Sequence, residues 1–158
     1  MIQPAKVYES KLIDKFLSIY DDPKYKYFFL SGYNFIPSIE DDEWNYIKRV
    51  SVYNEEVLGY LSAVVDRTAN KISELGVINF TNDNFIFSRD LANFINLLFY
   101  QYNFYKIKFS VVIGNPAEKM YDRFIEKYNG SIIGISKKDC RLTDGRLYDV
   151  KYYEIFRQ

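Results

Sequence analysis

Hydrophobic and polar positions follow their clearest pattern between residues 106 and 130, where they predict a strand, a sharp break and a helix. Apolar side chains first recur at every second position, the period of a half-buried strand, at Ile107, Phe109, Val111 and Ile113. The break then places Asn115 as a helix N-cap and Pro116 in the first helical turn, where its missing N–H loses no bond. Apolar residues return at helical spacing, and Asn129-Gly130 closes the helix.

The same patterns along the rest of the chain predict two helices, three strands, a helix, a strand, a helix and two strands. The helices are expected at residues 7–20, 38–50, 88–103 and 116–128, and the strands at 51–53, 57–65, 71–80, 106–113, 131–138 and 147–156. Trp44, Ile47 and Val50 would form the buried side of the second helix, and Ser88 would cap the third. A polar turn is expected at residues 139–146.

The connections between these elements predict how the strands pair. A helix crosses from strand 71–80 to strand 106–113, so these two strands are expected to lie parallel. A short polar turn joins the last two strands, which are expected to form an antiparallel hairpin. The fold class is therefore mixed α+β, a mostly antiparallel sheet flanked by helices in one domain spanning residues 1–158.

Charge and hydropathy argue against nucleic-acid and membrane partners. Lys+Arg and Asp+Glu both number 21 and the isoelectric point is about 6.3, whereas a nucleic-acid-binding domain normally carries a basic face. No apolar run reaches membrane-spanning length and no signal peptide is recognisable, so the expected location is the cytoplasm.

The absence of histidine has the largest chemical consequence. It excludes Ser–His and Cys–His nucleophile pairs and histidine-ligated metals, so an enzyme would take its acid and base from Asp, Glu, Tyr, Lys, Cys or water. The single cysteine, Cys140, excludes an internal disulfide and a cysteine-rich metal site, and no metal is expected. Its basic neighbours favour a lowered thiol pKa, although an exposed cysteine without a function is the simpler interpretation.

Three local sequences and the order of the elements together resemble one known family. The local sequences are Val57-Leu58-Gly59-Tyr60, Asn115-Pro116-Ala117 followed by Tyr121, and Asp149 in the closing strand. Over roughly residues 40–156, the chain resembles the GNAT N-acetyltransferase superfamily. The resemblance implies that the two parallel strands splay apart and that acetyl-CoA binds between them as co-substrate. The acetyl group would pass to an amine on a small molecule or a peptide.

The resemblance also implies two catalytic residues. Tyr121 would protonate the departing CoA thiolate, and Glu74 would take the proton of the amine, directly or through water. Each residue has a structural alternative. Tyr121 lies on the apolar stripe of its helix, and solvent exposure or a lysine partner would equally explain Glu74. Asp149 is a second candidate for the base.

Contacts to the acyl-CoA are implied at two places. Asn115 would contact the pantetheine arm. A backbone N–H among Val77, Ile78 and Asn79 would stabilise the oxyanion of the tetrahedral intermediate.

The family's glycine-rich loop, which binds the CoA pyrophosphate through backbone N–H groups, corresponds here to residues 81–90. This segment contains no glycine. Ser88 and Arg89 are the expected phosphate contacts within it, while the negative charges of Asp83 and Asp90 oppose phosphate binding.

Two functions of different classes remain open at this point. The first is an acetyl-CoA-dependent N-acetyltransferase that works by direct attack of the amine. The second is a domain of the same fold that has lost cofactor binding and serves as an interaction module, which the missing glycines favour. The chain is expected to be a monomer or a homodimer. The resemblance implies that the acceptor lies against the first two helices and the last hairpin. The aromatic residues there would either line the acceptor site or serve only as packing, and they are Tyr25, Tyr27, Phe28, Tyr33, Trp44 and Tyr148.

Overall fold

The computed structural model describes residues 1–29, 36–40, 42–82 and 84–158. The strands are β1 (Ile2–Pro4), β2 (Tyr46–Tyr53), β3 (Glu56–Asp66), β4 (Lys71–Asn79), β5 (Lys106–Val112), β6 (Ser131–Arg141) and β7 (Leu147–Phe156). The α-helices are α1 (Glu9–Ile19), α2 (Phe85–Asn96) and α3 (Glu118–Lys127). Short 3-10 helices lie at Ala5–Tyr8 and Pro23–Phe28, and a π-helical turn lies at Leu97–Gln101.

The strands form a single seven-stranded sheet in the order β1-β2-β3-β4-β5-β7-β6. Neighbouring strands are antiparallel except β4 and β5, which run parallel with α2 in the connection between them. The predicted fold class, a mixed and mostly antiparallel sheet flanked by helices, is therefore confirmed. The predicted parallel pair and the predicted terminal hairpin are confirmed with it.

Strands β4 and β5 separate after one point of pairing. Ile72 pairs with Ile107, and this is their one backbone pair within the described residues. Beyond it, β4 remains paired with β3 as far as Asn79, and β5 remains paired with β7 as far as Val112. Each strand therefore keeps one hydrogen-bonded edge and turns the other towards a gap.

Helical segments cover both faces of the sheet, because its strands carry apolar residues on both sides. On one face, Leu61 and Val77 belong to a core shared with α2 and α3, in which Phe94 is completely buried. On the other face, Val50 and Tyr60 pack against α1 and the 3-10 helix Pro23–Phe28. We call these the α2/α3 face and the α1 face.

The prediction of a helix over residues 38–50 is wrong. A proline followed by acidic residues resembles a helix start, but this part of the chain runs into strand β2, where Ile47 is fully buried in the core of the α2/α3 face. Trp44, expected on the buried side of that helix, is 67% exposed. Pairing with β1 and β3 is a tertiary interaction that outweighs the local helix signal. The strand predicted at 51–53 is the end of β2, and β1 was not predicted.

Helix α2 begins earlier than the sequence pattern predicts, which corrects the role of Ser88. The N-cap is Asn84, whose side-chain oxygen accepts the N–H of Ile86 at 2.8 Å. Ser88 lies inside the helix, and its N–H donates to the carbonyl oxygen of Asn84 at 3.1 Å. The α-helix ends at Asn96 and continues as the π-helical turn, whereas the prediction ran it unbroken to residue 103.

Two other element ends differ from the prediction. Helix α3 begins at Glu118, because the side chain of Asn115 accepts the N–H of Ala117 and forms a turn ahead of the helix. Strand β6 extends to Arg141, into the segment predicted as a polar turn. Antiparallel pairing with β7 holds this extension in place.

Gly59 lies in β3, where the first turn of α2 rests on the sheet. A Cβ at this position would stand 2.1 Å from the ring of Phe87 and 2.6 Å from the carbonyl oxygen of Ile78. Since the ring is buried and the carbonyl belongs to the sheet, neither can move away freely. Gly59→Ala is therefore expected to lower the free energy of unfolding by about 1–3 kcal/mol. The shift of the denaturation midpoint in urea measures this change.

Gly134 provides the matched control for this substitution. A Cβ at Gly134 has no neighbour within 4 Å in the described part of the chain. Gly134→Ala is therefore expected to stay within about 0.5 kcal/mol of the unsubstituted protein. If both variants unfold at the same midpoint, α2 does not rest on β3 through Phe87.

Candidate active site

The gap between β4 and β5 forms a cleft of about 270 Å³. Its walls are the end of β4, the start of α2, the turn before α3 and the 3-10 helix Pro23–Phe28, so it is bounded from both faces of the sheet. The structure brings five of the predicted site residues to this cleft, which are Val77, Asn79, Ser88, Asn115 and Tyr121.

Tyr121 lies on the side of α3 that packs against the sheet. Its ring meets Phe109 edge-on at 5.0 Å between centroids, and Tyr153 at 6.1 Å. The Tyr121 hydroxyl donates to no described residue, yet it is not sealed from solvent, because the cleft reaches it. Burial, and to a smaller extent the neighbouring Tyr153, raises the pKa of Tyr121 well above its ordinary value. The residue is therefore a neutral phenol that keeps its proton available for donation.

Three asparagines line the cleft in the same local conformation. Asn79, Asn84 and Asn115 each use the side-chain oxygen to accept the backbone N–H two residues further on, at 2.8 to 3.0 Å. Within the described chain, none of their NH₂ groups donates a hydrogen bond. Each asparagine is therefore fixed by a turn and retains amide donors beside the cleft. Asn79 and Asn115 were predicted, whereas Asn84 was missed because the start of α2 was misplaced.

Glu74 lies on the opposite face of β4 from Val77, because successive side chains of a strand alternate. It is exposed and lines a separate groove of about 460 Å³ on the α1 face. Tyr46, Tyr60 and Glu40 line the same groove. Glu74 has no ion-pair partner among the described residues, so the predicted alternative of a lysine partner does not apply and that of solvent exposure does.

The negative charge of Glu74 contributes to the raised pKa of Tyr152 on β7. Its hydroxyl donates to a carboxylate oxygen of Asp139 at 2.5 Å. That hydrogen bond, then burial and the charges of Asp139 and Glu74, raises the pKa of Tyr152 to about 12. The α1 face therefore carries negative charge beside β4, together with aromatic rings.

The side chains of Ile78 and Arg89, the remaining predicted contacts, lie away from the cleft. Ile78 faces the α1 side, where it packs against that core. Arg89 points towards Asp90 at 3.6 Å. Asp90 is fully buried, and its carboxylate accepts the hydroxyl of Ser51 at 2.8 Å and the terminal ammonium of Met1 at 2.7 Å, so its charge is compensated inside the protein. Asp83, the other opposing charge, lies outside the described residues.

Asp149, the second candidate for the base, is held by basic groups at the β6–β7 hairpin. Its carboxylate pairs with Lys137 at 2.9 Å and accepts the N–H of Lys138 at 2.9 Å, which lowers its pKa.

The structure corrects the lowered thiol pKa that the basic neighbours of Cys140 suggested. Burial, followed by the charge of Asp139, raises the pKa of this thiol, so basic residues nearby in sequence do not activate it.

The predicted acceptor aromatics separate into groups. Tyr25 and Phe28 line the cleft between the strands. Tyr27 and Tyr148 contact each other edge-on at 6.3 Å, and Lys26 lies near both rings. Trp44 is exposed, and Tyr33 lies outside the described residues.

Lys24 is another cleft residue that sequence reasoning missed. It reaches the cleft from the 3-10 helix Pro23–Phe28, and its ammonium donates to the side-chain oxygen of Asn82. No local pattern signals this contact, because 58 positions separate the two residues.

Among the described residues, no group of acidic, histidine or cysteine side chains is arranged to hold a metal ion, and no helix is long and apolar enough to cross a membrane.

No family model matches the chain, and no curated protein matches it. Solved structures do. A spermidine N-acetyltransferase from Vibrio cholerae, crystallised with CoA and spermine, superposes with a TM-score of 0.73 at 16% identity, covering 99% of this chain and 94% of that one. A putative acetyltransferase gives 0.70 at 19% identity, with 98% and 84% covered. A putative acetyltransferase from T. thermophilus gives 0.68 at 18% identity, also with 98% and 84% covered.

At these identities the similarity concerns the fold. It agrees with the strand order, the splayed parallel pair and the helices on both faces. The chain has the fold of the GNAT N-acetyltransferase superfamily.

Proposed function

We propose that this protein is an N-acetyltransferase that moves the acetyl group of acetyl-CoA to a primary amine. One observation carries the proposal. The neutral phenol of Tyr121 and the amide of Asn115 meet at one cleft, where the free edges of β4 and β5 border a gap. The solved structures of similar fold support it, because their names describe acetyltransferases.

The groups around the cleft fit an acyl-CoA. Its pantetheine arm carries amide groups, which need donors and acceptors of the kind that an unpaired strand edge offers. In this proposal the backbone of β4 at Val77, Ile78 and Asn79 faces the arm, and one of its N–H groups stabilises the oxyanion. Asn115 contacts the arm through its amide, and Ser88 lies near the phosphates at the start of α2.

The reaction is a direct transfer between two substrates. Glu74 takes a proton from the ammonium group, directly or through water, and the free amine attacks the thioester carbonyl. A carbon–nitrogen bond forms, the carbon–sulfur bond breaks, and Tyr121 gives its proton to the departing thiolate. The phenolate of Tyr121 is neutralised by the second proton of the substituted nitrogen. The net products are the acetamide, CoA thiol and one proton, which Glu74 releases to solvent.

The acceptor is proposed to reach the reaction from the α1 face, where Glu74 lies. The groove there combines the carboxylates of Glu74 and Glu40 with the rings of Tyr46 and Tyr60. This combination suits a cationic amine, because carboxylates attract the ammonium group and aromatic faces stabilise it. A small molecule or a peptide would supply such an amine. The spermine bound to a protein of similar fold belongs to this chemical class.

A second candidate function is a non-catalytic interaction module of the same fold. The glycine-free segment at residues 81–90 favours it, since glycine backbones allow the closest approach to a pyrophosphate. The two candidates differ in a single measurable property, which is the affinity for CoA.

The test is a calorimetric titration of acetyl-CoA and of desacetyl CoA into the protein. We expect micromolar binding of both ligands, because the cleft contacts lie along the arm and the phosphates that the two share. A screen of amines for CoA release would follow. No binding at millimolar concentrations of either ligand would end the enzyme proposal and leave the interaction module.

A further inference from the structure

We propose that Lys24 binds the pyrophosphate of the acyl-CoA and supplies the anion recognition that a glycine-free loop lacks. The proposal rests on the proposed function, because it assigns a further binding residue to the same cleft. Lys24 belongs to the 3-10 helix Pro23–Phe28 on the α1 face, and it lies outside the loop at residues 81–90.

The position of Lys24 is the first argument. Its ammonium donates to the side-chain oxygen of Asn82, in the segment that leads from β4 into α2. The Lys24 side chain therefore joins the 3-10 helix on one side of the cleft to the segment between β4 and α2 on the other. Its backbone is held as well, because the carboxylate of Asp22 accepts the Lys24 N–H at 2.9 Å.

Charge is the second argument. Among the described residues that line the cleft, Lys24 is the one charged side chain. Its ammonium forms no ion pair with a described residue. An ammonium has three donor hydrogens, and the bond to Asn82 uses one of them. Within the described part of the chain, two donors and a full positive charge therefore remain for an anion.

The surroundings of the ammonium are the third argument. The cleft also contains Asn84 and Ser88 from the first turns of α2, so the positive end of that 12-residue helix dipole lies at the same cleft. Arg89, the cation predicted from sequence, is directed towards Asp90 and does not line the cleft. Lys24 and the start of α2 together provide what backbone N–H groups provide in a glycine-rich loop.

The test compares Lys24→Met with Lys26→Met. Methionine keeps the apolar stem and removes the charge, and Lys26 belongs to the same 3-10 helix but lies beside Tyr27 and Tyr148, away from the cleft. Two ligands are titrated by calorimetry, CoA and pantetheine, which lacks the pyrophosphate. Loss of one charge-assisted hydrogen bond is expected to weaken CoA binding about 10- to 100-fold in Lys24→Met. Pantetheine affinity should not change, and Lys26→Met should bind both ligands as the unsubstituted protein does.

Two further measurements make the outcome decisive. Lys24→Arg keeps the charge and should retain most of the CoA affinity. The salt dependence of CoA binding should become shallower in Lys24→Met, because a screened charge contact is gone. Melting curves of each variant without ligand establish that the fold is intact.

Three results would overturn the proposal. If Lys24→Met binds CoA as tightly as the unsubstituted protein, Lys24 does not contact the phosphates, while the proposed function stands. If CoA and pantetheine weaken equally, Lys24 only supports the cleft wall. If the unsubstituted protein does not bind CoA, the proposed function and this inference fail together.

Discussion

Replacing Tyr121 by phenylalanine is expected to lower turnover about 10²- to 10⁴-fold while leaving the affinity for acetyl-CoA unchanged. The substitution removes one oxygen from a ring that packs edge-on against Phe109 and Tyr153, so the packing of α3 on the sheet remains. In the proposed mechanism, what disappears is the proton for the departing thiolate. Steady-state kinetics gives turnover, and calorimetry gives the affinity.

Tyr128 offers a matched control on the same helix stripe. It is buried to a similar degree, and it lies outside the cleft lining. Tyr128→Phe should therefore leave turnover close to that of the unsubstituted protein. Equal turnover in both variants would remove Tyr121 from the mechanism and leave it as a core residue.

The raised pKa of Tyr121 fixes the direction of its pH dependence. A phenol whose pKa lies above its ordinary value of about 10 stays protonated as the pH rises through 10. This acid is therefore expected to remain active across the neutral and moderately alkaline range. A loss of rate there must come from another group, and that loss should persist in Tyr121→Phe.

Glu74→Gln is the second substitution with a large expected effect. At neutral pH an amine is almost fully protonated, since its ordinary pKa is near 10.4 for a lysine-like group. Without the carboxylate, the rate at pH 7 should fall about 10²- to 10⁴-fold. The deficit should shrink as the pH approaches the pKa of the amine, because solvent then removes the proton without the carboxylate. A pH–rate profile from 7 to 10 measures both features.

Glu126→Gln serves as the control for this experiment, since Glu126 is exposed on α3 at the other side of the sheet. Its profile should follow that of the unsubstituted protein. A Glu74→Gln deficit of the same size at every pH would contradict a role as base. A change confined to the KM of the amine would assign Glu74 to binding the ammonium group.

Local chemistry determines the parts of the fold that the sequence predicts well. Strand β5 alternates cleanly, and the break at Gly114 to Pro116 has residues that stop a strand and begin a helical turn. The same stretch contains Asn115 and Tyr121, so its sequence motif identified both of these cleft residues. The parallel pairing of β4 and β5 followed from the intervening helix alone.

Tertiary contacts determine what sequence reasoning missed. The acidic stretch before Trp44 has the signature of a helix start, but β2 is formed by its pairing with β1 and β3. The sequence pattern predicts Ser88 as the cap of α2, but the observed cap is Asn84, and Phe87 in the first turn lies against Gly59. Lys24 joins the cleft only because its 3-10 helix packs near Asn82, a contact that no local pattern encodes.

The single rung between Ile72 and Ile107 also decides how the two parts of the molecule hold together. Beyond it, strands β1 to β4 and strands β5 to β7 are joined by side-chain packing, such as that of the core containing Val77 and Phe109. A ligand that lays its amides along the gap takes the place of an absent strand and completes the ladder. The free energy of binding such a ligand would then also hold the two parts of the sheet together, so the ligand and the sheet would stabilise each other.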